Sequence, residues 1–290
     1  MKDRENKEVL AAIQSPLSRQ KGSPHFLFLN GPCEGRCLFC SAKNDAESPL
    51  DRVLAALDRR VVGGTICIIG NEPLLYSRIF DILAACRSAG FSEIEIMTSG
   101  MRLAHFPVAE RFCRGGATSF SIPLHAALAE VHDGITGVPG SFDLTVRGIE
   151  NILKHGAKVY IHTTLIRHNF AAIPALSKFV QKRFSAPFAV LPLRPKSSGL
   201  PFLSLAVRLS EAKSLQAFGL YGFPHCVSPY DTGEVSPSLK AYFECQAFEK
   251  PGKCGQCVKQ RACPGLFRDY IDIFGDDELY PMEAAVSQGL

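Results

Sequence analysis

FLFLNGPCEGRCLFC, residues 26–40, reads as a short apolar strand that runs directly into a loop with three cysteines. Cys33, Cys37 and Cys40 stand in C-x3-C-x2-C spacing. Three thiolates this close can cap three corners of a cubane iron–sulfur cluster, which ordinarily takes four. The fourth iron is then left open for chemistry. A zinc knuckle is the rival, although zinc sites usually pair C-x2-C with a distant second pair and close all four positions.

Outward from this stretch, the chain alternates strand and helix. FLFLN (26–30), TICIIG (65–70), EIEIMTSG (93–100), ATSFSIP (117–123), KVYIHTTLI (158–166) and PFAVLPL (187–193) read as six strands. TICIIG is continuously apolar, as a strand buried on both faces should be. Helical spacing is predicted at 51–60, 79–88, 107–115, 141–156 and 171–184, with Ser141 as an N-cap and Gly156 as a C-terminal stop. A further helix is expected over 205–220. Short connections between alternating elements specify parallel βαβ units with right-handed crossovers. The fold class is therefore α/β. Six units suit either a partial (β/α)6 TIM-like barrel or an open sheet, and in both cases ligands gather at the C-terminal strand ends. The cysteine loop follows the first strand and so lies at that edge. Residues 1–24 form a lead-in, 25–200 the α/β unit, and 201–290 a helix followed by a loop-rich tail in need of a staple.

With 290 residues and 46% hydrophobic composition, the chain can bury a sizeable core. No apolar run is long enough to span a membrane. The charged N-terminus lacks a signal-peptide core, so a cytoplasmic location is expected. The net charge of +4 is scattered, which gives nucleic acid little support as a partner. Eleven cysteines is a high count for a reducing compartment and points to metal or catalysis rather than disulfides. Cys67 and Cys86 sit in apolar patterns and read as buried small hydrophobes. Cys113, in a loop-like RFCRGG, is a candidate hydrogen donor, and a bystander thiol is the plainer reading. His125, His132, His162 and His225 lie near strand ends or cysteines without an assignable partner.

The chain resembles the radical S-adenosylmethionine (SAM) superfamily from about residue 26 to 281. The cysteine triad, with Phe39 before Cys40, matches that superfamily's C-x3-C-x-Φ-C motif. The resemblance implies that the open iron binds the amino and carboxylate groups of SAM, and that one electron yields a 5′-deoxyadenosyl radical. GNEPLL (70–75) is similar to the G-G-E-P element that holds the SAM amino group, which implicates Gly70, Asn71, Glu72 and Pro73. Asn71 departs from the second glycine. MTSGM places Ser99 at a SAM-contacting strand end, and SIPLH places Ser121 there. His162 or Thr164 would point inward from the fifth strand, and Leu191 would lie beside the adenine. HDGITGVPGSF (132–142) is similar to a loop of relatives with C-terminal clusters.

Cys254, Cys257 and Cys263 resemble a twitch domain, the shorter relative of the SPASM domain. The resemblance implies Cys226 as the fourth ligand to a second [4Fe–4S] cluster, with Cys245 the rival fourth ligand and a zinc ribbon the rival reading. The resemblance implies an electron donor such as flavodoxin or ferredoxin and radical chemistry on a ribosomally made peptide. The peptide-binding domain that often precedes the barrel is expected to be absent, so a separate presenting protein would bring the peptide. A small molecule such as a nucleoside or sugar is the alternative substrate. A non-enzymatic zinc or iron–sulfur module is the alternative of another class.

Overall fold

The computed structural model describes residues 24–40, 46–57, 63–194, 201–244 and 248–283. Six strands form one parallel sheet: β1 (His25–Leu29), β2 (Thr65–Gly70), β3 (Glu93–Met97), β4 (Ser119–Pro123), β5 (Lys158–Leu165) and β6 (Phe188–Pro192). Each strand pairs with its sequence neighbour in the order β1 to β6. Sequential order combined with right-handed crossovers leaves the connecting helices on one face of the sheet.

The register separates the two faces. On one, Leu27 pairs with Ile68, Ile68 with Ile96, and Ile96 with Phe120. These side chains are buried in the main core with residues of α2 (Ile79–Ser88) and α3 (Phe106–Gly115). On the other face Cys67 pairs with Glu95, Glu95 with Ser119, and Ser121 with Tyr160, with His162 next along β5. A face carrying carboxylate, hydroxyl and imidazole groups at strand centres serves purposes other than packing.

The remaining helices are α1 (Leu50–Ala55), α4 (Ala129–Thr136), α5 (Ser141–Lys154) and α6 (Ile173–Phe184), then the shorter α7 (Phe202–Leu205), α8 (Leu209–Ala212), α9 (Pro237–Glu244) and α10 (Arg268–Phe274). Four expectations need correction. The helix predicted over 205–220 is broken, because α8 runs into a 3-10 turn at Lys213–Leu215 and α7 ends at Leu205. Ser141 does not cap α5; Gly140 holds that position at φ 79°, and Ser141 begins the helix. Half of the HDGITGVPGSF segment, read as a loop, is the end of α4. Cys113 sits on α3, half-buried, not in a loop.

The C-terminal region builds on the outer edge of β6. Val190 N–H donates to Gly219 O (2.7 Å), Tyr221 N–H to Val190 O (3.0 Å), and Glu234 N–H to Phe188 O (2.9 Å). A two-stranded antiparallel ribbon, β7 (Phe248–Glu249) with β8 (Leu266–Phe267), follows. Ser236, just ahead of α9, donates to the buried Glu95 carboxylate at 2.6 Å and so covers the polar sheet face. No helix among the described residues is long and apolar enough to cross a membrane.

Candidate active site

The cysteine loop leaves β1 at a point where backbone meets backbone. A β-carbon on Gly70, at φ 146°, would lie 1.9 Å from Leu29 O, so only glycine lets β2 end there. Next to it, Asn71 N–H donates to Leu29 O (3.2 Å), and the Asn71 side-chain amide donates to Gly31 O (2.5 Å). The departure from a second glycine thus has a local use: Asn71 ties GNEP to the first residues of the loop.

Within the loop, Cys33 and Cys37 face the same small space. A β-carbon on Gly35 would lie 3.6 Å from Cys33 Sγ and 3.5 Å from Cys37 Sγ. Cys40 N–H closes a turn on Cys37 O at 3.0 Å, and Cys40 is the exposed member of the three. Burial pushes the Cys33 thiol up to about 11 and the Cys37 thiol up to about 12, and the neighbouring cysteines push in the same direction. Such thiols stay protonated at neutral pH, so a metal has to displace the proton when it binds. Two partly buried sulfurs with no side chain between them, and the exposed Cys40 acting electrostatically on both, are the donors that an iron–sulfur cluster capped at three corners would use.

Glu72 is a buried node, 3% exposed. Its Oε1 accepts from Thr98 Oγ1 (2.6 Å) and Leu74 N–H (3.1 Å), and its Oε2 from Ser99 N–H (2.8 Å). Burial raises its carboxyl, and the Thr98 and Ser99 bonds oppose that rise. Pro73 opens the 3-10 turn that follows and is itself buried. A desolvated carboxylate with fixed donors on one side is a suitable partner for a ligand ammonium. Thr98 was not predicted; its signal was the hydroxyl residue next to Ser99 in MTSGM.

The 132–142 segment touches the cysteine loop. Arg36 N–H donates to Thr136 O (2.8 Å) and Leu38 N–H to Ile135 O (3.0 Å), the two amides that flank Cys37. Asp133 accepts from Gly140 N–H (2.6 Å), Ser141 Oγ (2.8 Å) and Phe142 N–H (2.8 Å). Burial alone would raise the Asp133 carboxyl, but the bonds from Phe142, Ser141 and Gly140 outweigh it and hold it below its ordinary value. Phe39 lies edge-on to His125 (centroids 5.2 Å apart), and His125 stacks on His132 (5.4 Å).

On the polar sheet face, Ser121 Oγ and His162 Nδ1 are 3.3 Å apart. Burial draws His162 down to about 4, so the imidazole is neutral at physiological pH. Leu191, paired with Thr164, is buried in the core at 6% exposure. Gly70, Glu72, Ser99, Ser121 and His162 thus lie at or near the C-terminal halves of β2 to β5, the edge from which the cysteine loop springs.

A second set of thiols gathers near the C-terminus. Cys226, Cys254, Cys257 and Cys263 line one cavity, together with His225, Lys250 and Tyr280. His225 N–H donates to Cys263 Sγ and Met282 N–H to Cys257 Sγ, each at 3.3 Å. Burial raises the Cys226 and Cys254 thiols, and the other cysteines of the set add to the rise. Among the described residues, no three His, Cys, Asp or Glu side chains converge as a single ion requires, in this set or in the loop of Cys33, Cys37 and Cys40. The rival ligand Cys245 lies outside the described residues.

A model of the radical SAM superfamily matches residues 30–180. An AdoMet-dependent heme synthase of Oleidesulfovibrio alaskensis is 24% identical over 271 residues, covering 88% of this chain and 69% of its own. Another heme synthase, from Methanosarcina barkeri, is 26% identical over 178 residues, with 59% and 50% coverage. Mycofactocin maturase MftC of Mycobacterium tuberculosis is 29% identical over 170 residues, with 56% and 42% coverage. The chain thus spans between 42% and 69% of the length of these curated relatives. Among solved structures, native anSMEcpe with bound AdoMet and Cp18Cys peptide superposes at a TM-score of 0.62 and 14% identity, covering 89% of this chain and 93% of that one. Streptococcus suis SuiB bound to S-adenosylmethionine superposes at 0.54 and 16% identity, covering 74% and 48%. At these identities the likeness concerns the fold.

Proposed function

The chain belongs to the radical SAM superfamily, and from that premise we propose that it abstracts hydrogen from a peptide in the course of peptide maturation. The non-enzymatic alternative falls with family membership. The observation that carries the reading is the placement of Cys33 and Cys37 around one small space, with Cys40 and the buried Glu72 near enough to act on Cys33 electrostatically, at one end of the parallel sheet. When bound, the cluster and SAM supply an electron and a 5′-deoxyadenosyl radical, the chemistry that side chains lack. Cys33, Cys37 and Cys40 would hold the cluster, and Glu72 would accept a hydrogen bond from the SAM amino group. Gly70, Asn71 and Pro73 set the backbone that carries Glu72; Ser99 keeps it in place. Phe39, Ser121, His162 and Leu191 line the approach to SAM. The scaffold is a partial barrel, with residues 201–290 as a twitch-like region packed against it.

Cys226, Cys254, Cys257 and Cys263 hold a second [4Fe–4S] cluster. Four thiolates leave no iron open, which suits an electron relay better than substrate ligation. Flavodoxin or ferredoxin is the matching class of donor. Peptide as substrate is supported by likeness to the mycofactocin maturase. Coverage of 88% by a heme synthase favours a second reading, a small-molecule substrate.

Anaerobic reconstitution followed by product analysis tests the proposal. The expected result is about eight irons per chain and formation of 5′-deoxyadenosine that rises on addition of peptide. Stoichiometric zinc, or wild-type 5′-deoxyadenosine formation by Cys33→Ala, overturns it. A response to a small molecule but not to peptide selects the second reading.

A further inference from the structure

Helix α5 carries two stripes. Val146, Ile149 and Ile152 enter the core, as expected of an amphipathic helix. Ser141, Thr145, Gly148 and Asn151 are equally buried, yet they are small or polar. Spaced by four, three and three residues, they share one face of the helix. Helix packing alone gives no reason for such a stripe, and each of its members makes a specific contact.

At the N-terminal end, Ser141 Oγ meets Thr136 Oγ1 at 2.7 Å and is held by Asp133. Through Ile135 and Thr136 this end reaches the amides flanking Cys37. Gly137 completes the junction: its β-carbon would lie 3.1 Å from both Cβ and O of Arg36. Further along, Thr145 Oγ1 donates to Ser99 O at 3.2 Å. A β-carbon on Gly148 would lie 2.2 Å from Gly100 O, so the helix backbone rests on the turn that follows β3. Asn151 then donates to Leu103 O (2.9 Å) and Ala104 O (3.0 Å). That turn supplies the Ser99 N–H that holds Glu72.

We propose that α5 sets the spacing between the two halves of the SAM site, with its Ser141–Thr145–Gly148–Asn151 stripe fixing the cysteine loop at one end and the Ser99–Glu72 pair along its length. Asp133, Thr145 and Gly148 are positioning residues and touch no cofactor. The inference rests on the assignment of the SAM site to Cys33, Cys37, Cys40 and Glu72. A ligand gripped at once by the open iron and by Glu72 binds well only if both lie at a fixed separation, and a rigid helix touching both supplies it.

The test uses the full chain, reconstituted anaerobically. SAM affinity is measured by equilibrium binding, and the reduced cluster by electron paramagnetic resonance with and without SAM. Gly148→Ala places a methyl against the Gly100 carbonyl and should weaken SAM binding about tenfold, the scale of one lost hydrogen bond to a charged group. Its iron content and its resonance without SAM should match the unaltered chain, while the SAM-induced spectral change shrinks. Thr145→Val should weaken SAM binding severalfold, and Thr145→Ser, which keeps the hydroxyl, should restore it. The Thr145 pair carries the test if Gly148→Ala fails to fold. Unchanged SAM affinity in Gly148→Ala and in Thr145→Val overturns the inference alone. Absence of SAM binding by the unaltered chain overturns the site assignment and the inference together.

Discussion

The cysteine loop after β1 and the cysteine cavity near the C-terminus use the same donor atom but stand in different surroundings. In the loop, three thiols sit at the end of a six-stranded sheet, and the loop is braced from outside by Asn71, Ile135 and Thr136. Near the C-terminus, four thiols surround a cavity between the short β7–β8 ribbon and nearby turns, and the amides of His225 and Met282 bond directly to sulfur. In the proposed reading, three thiolates would leave one iron open for SAM, and the buried Glu72 carboxylate beside Cys33 would receive the amino group of the same ligand. The backbone bonds to sulfur in both places, at Cys33 through Gly35 and at Cys263 and Cys257 through His225 and Met282. The difference lies in what surrounds the thiols: the loop set stands at a sheet end beside the buried Glu72, whereas the C-terminal set rings a cavity of its own.

The largest test of this contrast is Cys37→Ala against Cys254→Ala. Both should lower iron from about eight to about four per chain. Cys37→Ala should reduce 5′-deoxyadenosine to the level without enzyme. Cys254→Ala should still cleave SAM but lose turnover of the peptide. Equal loss of SAM cleavage in both would erase the contrast.

A smaller effect is expected where the brace is weakened and the ligands are kept. Asp133→Asn should lower the melting temperature by about 2–4 °C at pH 7. The sign follows from the carboxyl, which lies below its ordinary value in the fold. Its contribution is present above the unfolded-state value and is lost as pH falls through the lower folded one. The gap between the two proteins should therefore close below about pH 4, as thermal melts across pH 3 to 7 would show. Asn71→Ala should cost about 1 kcal/mol for its bond to Gly31, read by denaturant titration, with iron retained.

The smallest effect is expected away from both cysteine sets. Burial raises the Glu95 carboxyl, opposed by Ser236 and Ser238. The stability this gives is present below the unfolded-state value and lost as pH rises through the folded one. Glu95→Gln should therefore melt at or slightly above the wild type at pH 8 and lose that advantage below about pH 4. A lower melting point at pH 8 would show that Ser236 needs the charge.

Much of the fold was legible because the strands carry their own signal. TICIIG has Ile66, Cys67, Ile68 and Ile69 all buried, as an apolar run flanked by turns should. Gly156 ends α5 at φ 74° as its position suggested. The cysteine spacings and GNEP marked chemistry that no packing pattern requires. What escaped depends on partners distant in sequence. Ser141 looked like an N-cap because the carboxylate that serves α5, Asp133, belongs to the preceding helix. The 205–220 helix breaks because Leu205 and Ala206 carbonyls turn to Arg167. Neither Asp133 nor Arg167 stands out in a reading of local periodicity. Asn71 was visible as an oddity in GNEP, and its reason, the Gly31 carbonyl, needed the fold.

The pairing of Gly219–Tyr221 along the outer edge of β6 has a consequence for biosynthesis. An unprotected parallel edge invites a neighbouring chain to add to it. During translation β6 emerges well before residue 220, so the nascent protein carries a bare edge until the later segment arrives. Truncation after Leu193 would make that exposure permanent, and the product should aggregate even though its six strands and three N-terminal thiols are complete. The C-terminal region thus also shields the sheet's β6 edge.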